Sequence, residues 1–156
     1  MADGQVTVHI DAAPERVYAL ISDVTRMGEW SSECYRCEWR DGASGPAVGA
    51  RFKGSNKRGL LRWSTTAQVQ EADPGRTFAF ATFDGGREVT RWRYSFAPAG
   101  DGTDATESYE RVWTPGYVKL AEKLVLRGRD GQLDEGMRAT LQRLKTAAEQ
   151  AKPPGA

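Results

Sequence analysis

The sequence predicts an α+β domain in which a curved, seven-stranded antiparallel sheet wraps around a long C-terminal helix, with two short helices after the first strand. Apolar residues alternate with period two through the middle of the chain and recur at helical spacing before and after it. Turn-forming residues separate the alternating stretches. At 156 residues the chain has the size of one ordinary domain. We expect a single domain over residues 1–150 and a flexible tail over residues 151–156.

The N-terminal elements are a strand and two short helices. Apolar and polar residues alternate over Val6–Ile10, which predicts a strand. Pro14 then occupies a position where helices often begin, and Glu15 follows in the first turn, where the helix dipole favours an acidic residue. The next apolar residues recur at helical spacing: Val17, Leu20, Ile21 and Val24. A helix is therefore predicted for residues 14–23 and a second, shorter one for residues 24–30.

Six further strands are predicted between residues 33 and 113. They are Glu33–Arg40, Ala50–Gly54, Leu60–Glu71, Arg76–Phe83, Glu88–Pro98 and Thr103–Trp113. The turn formers between them are Asp41-Gly42, Gly54-Ser55-Asn56, Asp73-Pro74-Gly75, Asp84-Gly85-Gly86 and Gly100-Asp101-Gly102. Because short loops join consecutive strands, we expect a meander of antiparallel hairpins.

The C-terminal region returns to helical periodicity. Its apolar stripe consists of Leu133, Met137, Leu141, Leu144 and Ala148. An earlier helical stretch carries Leu120, Ala121, Leu124 and Val125, and Gly128-Arg129-Asp130-Gly131 should bend or break the helix after it. A curved sheet needs cover on its concave face, which a long terminal helix supplies. Where the helix fills that face only partly, a pocket remains.

The charge balance narrows the classes of partner. Lys and Arg number 22 against 21 Asp and Glu, a net charge of +1, whereas proteins that bind nucleic acid normally carry a basic face. No apolar run approaches the roughly 18 residues that span a bilayer, and the first residues lack the features of a secretory signal. We expect a soluble, cytoplasmic protein, a monomer or weak dimer, with no nucleic-acid partner and no membrane span.

Residues for metal or cofactor chemistry are scarce. His9 is the only histidine, so a zinc site or a histidine triad would depend on it alone. No phosphate-binding glycine loop or nucleophile elbow occurs. Cys34 and Cys37 have redox C-x-x-C spacing, but on a strand residues three apart face opposite sides. We therefore expect two small, buried or half-buried cysteines without a disulfide, no metal and no cofactor.

The aromatic content is typical of a cavity that binds a flat or hydrophobic ligand. The chain has 5 Trp, 5 Tyr and 5 Phe, although an aromatic-rich core explains these residues as well. Parity places Trp63 and Thr65 of one strand, and Trp92 and Tyr94 of another, on inward faces. Trp30 and the aromatic residues near it have two possible roles. They either form the floor or gate of the pocket, or close the open end of the sheet as part of the core. The predicted ligand-binding residues are Trp30, Trp63, Thr65, Phe78, Phe80, Trp92, Tyr94, Trp113, Met137 and Leu141.

The last strand carries the candidate catalytic residues. If Tyr109 and Trp113 face inward, Glu107 and Arg111 share that face. Buried charges are costly unless they are paired or hydrogen-bonded, so such groups either position a ligand or act as acid or base. The alternative is a structural ion pair, or an Arg111 side chain that reaches solvent. The candidates are Glu107, Arg111 and Tyr109.

A set of phrases, in order, resembles the START-related helix-grip (SRPBCC) superfamily, and more closely its polyketide cyclase/dehydrase-like branch. The phrases are Ile10-Asp11-Ala12-Ala13-Pro14-Glu15-Arg16-Val17-Tyr18, Ser22-Asp23 leading to Trp30, Ala50-Arg51-Phe52, Trp63, Asp73-Pro74-Gly75-Arg76, Trp92-Arg93-Tyr94, and Gly102-Thr103 before Thr106-Glu107-Ser108. The likeness extends from about Gln5 to Gln150. It implies a helix-grip fold with a hydrophobic cavity between the sheet and the C-terminal helix, which in this superfamily binds lipids, sterols, polyketides or plant hormones.

Two functions from different classes follow from this resemblance. The first, which we favour, is binding of a hydrophobic small molecule, lipid or polyketide-like, since apolar walls and a few polar groups suffice. The alternative is a cyclase or aromatase that promotes aldol closure or dehydration, with Glu107 as base and Tyr109 or Arg111 steadying the enolate. The resemblance to aromatases implies an arginine on the strand bearing Trp63, and this chain has Thr65, Ala67 and Val69 at the inward positions. A protein-interaction module on the same fold is a third, less favoured interpretation.

Overall fold

A computed structural model describes residues 2–124 and 129–150 of the chain. Its strands are β1 Gly4–Ile10, β2 Cys34–Arg40, β3 Arg51–Arg58, β4 Leu61–Asp73, β5 Thr77–Asp84, β6 Arg87–Ala99 and β7 Gly102–Arg111. Its helices are α1 Pro14–Ser22, α2 Met27–Trp30, α3 Gly116–Leu124 and α4 Arg129–Gln150, with a 3₁₀ turn at Val24–Arg26. Val125, Gly128 and the predicted tail over 151–156 lie outside the described residues.

The strands form one antiparallel sheet in the order β1-β7-β6-β5-β4-β3-β2. From β2 to β7 consecutive strands are neighbours, as the short turns predict, and β1 returns to pair with β7 over its whole length. The long helix α4 packs against β1 and β7 and also contacts α1 and α2. This arrangement confirms the predicted α+β helix-grip fold.

The predicted turn at Gly54-Ser55-Asn56 is wrong. These residues lie inside β3, where Gly54 pairs with Thr65 and Asn56 with Trp63. The turn comes later, because Gly59 has a φ of +58° and supplies the positive φ that a two-residue hairpin loop needs. Leu60, predicted to begin a strand, is the fully exposed second residue of that loop. Pairing with β4 therefore overrides the local turn preference of three small polar residues.

The prediction that Cys34 and Cys37 face opposite sides of their strand is also wrong. A β-bulge at Tyr35 shifts the register of β2, so that Cys34 pairs with Asn56 and Cys37 with Gly54. Those partners are two residues apart on β3 and share a face, so the two cysteines share a face as well. Both are free thiols, one half-buried and one buried, as predicted.

The packed part of the core lies between α1, the second half of α4 and the strands β1, β5 and β6. Its fully buried residues include Ile10, Val17, Ile21, Leu141 and Leu144. Tyr18 of α1 meets Phe78 and Phe96 edge to face, with ring centroids 6.4 and 6.2 Å apart. Such aromatic contacts add to the free energy of burial and fix α1 on the sheet.

The helix α3 lies outside this core. Its Leu120 and Leu124, predicted as the apolar positions of a helix, are 58% and 69% exposed. Over residues 2–124 and 129–150, no helix is long and apolar enough to cross a membrane.

Candidate functional site

A cavity of 1010 Å³ separates the sheet from the first half of α4. The strands β2 to β7 contribute to its walls, and α2, α3 and α4 complete them. Its apolar lining includes Phe52, Ala67, Phe80, Trp92 and Met137. Its size matches the upper range of small-molecule sites in proteins, which are mostly apolar with a few polar groups.

Small residues on both sides explain why this region is hollow. On α4 the lining residues include Gly136, Ala139 and Thr140, and a Cβ added to Gly136 would meet nothing within 4 Å. On the sheet, Gly54 of β3 and Ala67 of β4 take the places of larger residues in the wall. The helix backbone therefore lies opposite a sheet surface that its own side chains do not fill.

The polar centre of the cavity is a pair formed by Tyr94 and Glu107. They are directly opposite each other on β6 and β7, and both side chains are buried. The Tyr94 hydroxyl donates a hydrogen bond of 2.7 Å to Oε1 of Glu107. The other carboxyl oxygen, Oε2, is buried and has no hydrogen-bond partner among the residues the structure describes. Both residues line the cavity.

Burial governs the protonation of this pair. It raises the pKa of Glu107 to about 8, and the hydrogen bond from Tyr94 only partly opposes that rise. The pKa of Tyr94 is raised well above its ordinary value, by burial first and by the neighbouring Glu107 second. At neutral pH Glu107 is therefore mostly a neutral carboxylic acid. Because Oε1 accepts from Tyr94, the carboxyl proton belongs on Oε2, which has no partner among the described residues.

The three candidate catalytic residues share one face of β7 but do not form one cluster. Arg111 lines the cavity four residues beyond Glu107, a separation of roughly 13 Å along a strand. Its backbone N–H donates to Oδ2 of Asp3 at 2.6 Å. Tyr109 is buried between them, and its ring packs against Trp92 with centroids 5.5 Å apart, off the cavity wall. The residue that pairs with Glu107 is Tyr94.

The predicted ligand-binding residues divide into two groups. Those that line the cavity are Trp63, Thr65, Phe80, Trp92, Tyr94 and Met137. Trp30, Phe78 and Leu141 are instead buried in close-packed surroundings off the wall. Phe78 is two residues from Phe80 towards α1, and Leu141 is one helical turn past Met137. Trp113 lies against the guanidinium of Arg87, 4.3 Å from the ring centroid, and does not line the cavity.

Sequence reasoning missed the polar residues that β2 and β3 bring to the cavity. Asn56 donates from Nδ2 to Oγ1 of Thr65 at 3.0 Å, and both line the wall. Cys34 and Cys37 line it as well. The period-two pattern of Phe52, Gly54 and Asn56 was the available signal, but the predicted turn interrupted it.

Part of the cavity wall is formed by α3 and the β5–β6 hairpin. The Tyr117 hydroxyl donates to Oδ2 of Asp84 at 2.8 Å, and both residues line the cavity. This contact raises the pKa of Tyr117 and ties the start of α3 to the hairpin.

The fold and its cavity define a helix-grip protein of the SRPBCC type. A family model described as polyketide cyclase / dehydrase and lipid transport matches residues 1–149. The chain belongs to this family.

Solved structures agree with this assignment. The chain is similar to the polyketide-cyclase-like protein Cgl2372 from Corynebacterium glutamicum, at 35% identity over 94% of this chain and 84% of that one, with a TM-score of 0.51. It shares its fold with TTHA0849 from Thermus thermophilus, at 21% identity over 96% of this chain and 98% of that one, with a TM-score of 0.69. DR_A0006 from Deinococcus radiodurans, at 18% identity over 95% and 98% of the two chains, has a TM-score of 0.66. No curated protein matches the chain significantly.

Proposed function

We propose that the protein binds an uncharged hydrophobic small molecule, lipid or polyketide-like, that carries at least one oxygen. The observation that supports this most is the buried carboxyl group of Glu107, with an unpartnered oxygen, in a large apolar cavity. A neutral acid there can donate a hydrogen bond from Oε2 to a carbonyl, ether or hydroxyl oxygen. The ligand thereby satisfies a buried polar atom that the described wall residues leave unpaired.

The surroundings of Glu107 favour a neutral ligand over an anionic one. The pKa of Glu107 is raised to about 8, so an anionic group beside it would raise that pKa further and would itself be desolvated by the apolar wall. Affinity for a neutral ligand should fall as pH rises through about 8, because ionised Glu107 can no longer donate from Oε2. These expectations distinguish specific binding from nonspecific adsorption to exposed apolar surface.

The test fills the cavity from its helical side. Gly136→Leu places a side chain in open space on the wall, and Gly131→Leu is the matched control, since Gly131 is an exposed glycine of the same helix. Binding of Prodan, an uncharged naphthalene fluorophore that carries a ketone oxygen, is measured by fluorescence titration. We expect Gly136→Leu to weaken binding by about tenfold or more and the control to leave it unchanged. Equal affinities for both variants would place the probe elsewhere and contradict the proposal.

Native mass spectrometry of the protein purified from its own host complements this titration. An organic molecule that accompanies the wild-type protein and is lost from Gly136→Leu would identify the ligand class directly.

A second candidate function is a cyclase, and the Tyr94–Glu107 pair favours it. A carboxyl group with a pKa of about 8 can both accept and return a proton near neutral pH. Ionised Glu107 would remove a proton from the methylene between two carbonyls of a poly-β-ketone and, once protonated, return it to the aldol oxygen. The resemblance to aromatases implies an inward-facing arginine on β4. This chain has none there, which argues against a cyclase function.

Glu107→Gln separates the two functions. The amide keeps a neutral group beside Tyr94 but cannot exchange a proton. For the cyclase, the variant should retain probe binding within about twofold and lose turnover of a linear poly-β-ketone. Wild-type turnover should rise with pH through about 8, because the ionised carboxylate is the base. Undiminished turnover in Glu107→Gln would exclude Glu107 as the base.

A further inference from the structure

Two thiols lie side by side in the wall of the same cavity, close enough to Tyr94 to contribute to its raised pKa. The sulfurs of Cys34 and Cys37 are 3.2 Å apart, and both residues are free cysteines that line the cavity. This separation is shorter than ordinary contact between two sulfur atoms. A small approach of the two side chains would bring them to the roughly 2.05 Å of a disulfide bond.

The local backbone is what creates this pair. The bulge at Tyr35 turns Cys34 onto the same face as Cys37. Directly opposite, Gly54 of β3 has no side chain, and a Cβ at that position would lie 3.6 Å from each sulfur. The two sulfurs therefore lie over the backbone of Gly54, with no side chain between them and β3.

The two thiols are not equivalent. A hydrogen bond from Cys37 lowers the pKa of Cys34, whereas the same interaction and burial raise the pKa of Cys37. Cys34 is also the more exposed of the two. A half-buried thiol with a lowered pKa, next to a buried thiol with a raised pKa, is the arrangement of an attacking and a resolving cysteine.

We propose that Cys34 and Cys37 form a redox-active dithiol, which a small-molecule disulfide entering the cavity oxidises to an intramolecular disulfide. In the first step the Cys34 thiolate attacks one sulfur of the small disulfide, whose S–S bond breaks and releases one thiolate. In the second step Cys37 loses its proton to that thiolate and attacks the Cys34 sulfur of the mixed disulfide. The other half of the small molecule then leaves as a second thiolate. Two protein thiols are oxidised, and one small disulfide is reduced to two thiols.

The consequence concerns the cavity itself. Oxidation replaces the two S–H groups of the wall with one disulfide, which closes a short loop across the bulge within β2. The site thereby makes the shape of one end of the cavity dependent on the oxidation state of the thiols. Oxidation is measured by protein mass, so this proposal can fail while ligand binding is upheld, and the reverse.

The test exposes the folded protein to oxidised 2-mercaptoethanol and follows intact mass and free thiols. Wild-type protein should lose about 2 Da and both thiols, and dithiothreitol should restore them. Persistence of two free thiols, or accumulation of a stable mixed disulfide on the wild-type protein, would overturn the proposal.

Single variants test the assigned roles. Cys37→Ser should stop at a mixed disulfide on Cys34, about 76 Da heavier, because the resolving thiol is absent. Cys34→Ser should react at least about tenfold more slowly, since only the buried thiol remains. Equal reaction rates for the two variants would contradict the assignment of Cys34 as the attacking thiol. The wild-type mass measurement decides the proposal even where a variant fails to fold.

Discussion

The two halves of α4 carry one continuous apolar stripe but face different surroundings. Leu141 and Leu144 in the second half are fully buried against α1 and β1, whereas Met137 and Gly136 in the first half border the cavity. The difference lies in what stands opposite: large side chains such as Ile10 and those of α1 in one case, and small wall residues in the other. Close packing and the cavity are thus found along separate lengths of one helix.

The largest effect is expected where the packing is tightest. Leu141→Ala removes a fully buried side chain from close-packed surroundings, so the free energy of unfolding should fall by about 2–5 kcal/mol. Met137→Ala should cost about half as much, because Met137 lines the cavity and its truncation enlarges an existing space instead of opening a new void. Urea denaturation of the two variants measures both losses. Equal losses would show that Met137 is packed as tightly as Leu141 and would remove the distinction between the halves.

The next effect concerns Glu107, whose carboxyl group is kept neutral by burial beside the cavity. Because the pKa of Glu107 is raised to about 8 from its ordinary value of 4.5, the native state binds one more proton than the unfolded state between these values. Its contribution to stability is complete below about pH 4.5 and is lost as pH rises towards 8, by on the order of 4 kcal/mol.

Urea unfolding at pH 5 and pH 8 tests the direction in which the free energy of unfolding changes with pH. Glu107→Gln serves as the reference, since its amide does not titrate. The wild-type protein should lose stability relative to Glu107→Gln between the two pH values. A wild-type stability that rises with pH relative to the variant would mean that Glu107 is ionised in the folded protein.

The sequence predicted the strands best where one face is plainly polar. The inward faces of β6, of β4 from Trp63 to Val69 and of β7 from Ala105 to Tyr109 are confirmed, because Arg93, Glu110 and their neighbours mark the outer faces. The predicted face does not extend to Leu61, which is 46% exposed, or to Trp113, which lies beyond the end of β7. Glu107 was placed inside by the same parity. Its partner Tyr94 was recognised as inward-facing, but the pairing of the two depends on strand register, which period alone does not give.

The parts that were missed depend on contacts between distant segments. The bulge at Tyr35 has no local signature, and it reverses the parity on which the disposition of Cys34 and Cys37 was judged. In the same way, Met137 and Leu141 occupy one stripe, so the sequence of α4 does not say which of them borders a cavity. That is decided by residues such as Gly54 on the sheet opposite.

A smaller effect is expected from the hydrogen bond within the cavity. Tyr94→Phe removes the hydroxyl that donates to Glu107, so the pKa of Glu107 should rise further, and unfolding should become easier by about 1–2 kcal/mol. Side-chain carboxyl signals in an NMR titration report the pKa directly. Tyr109→Phe is the control, because the Tyr109 side chain lies off the cavity wall. A fall in the pKa of Glu107 on loss of the Tyr94 hydroxyl would refute the role given to this bond.

The smallest expected effect is an increase in stability, whereas the changes above decrease it. Gly136→Leu should stabilise the protein, because leucine is more favourable than glycine in a helix by roughly 0.8 kcal/mol. A Cβ added at position 136 meets nothing within 4 Å. Gly131→Leu gains the same helix preference at an exposed position, so any stabilisation of Gly136→Leu beyond that of the control measures apolar surface buried in the hollow. Thermal unfolding of both variants gives this difference. If Gly136→Leu is less stable than its control, side chains already occupy the space beside Gly136. The first half of α4 would then be packed as closely as the second half.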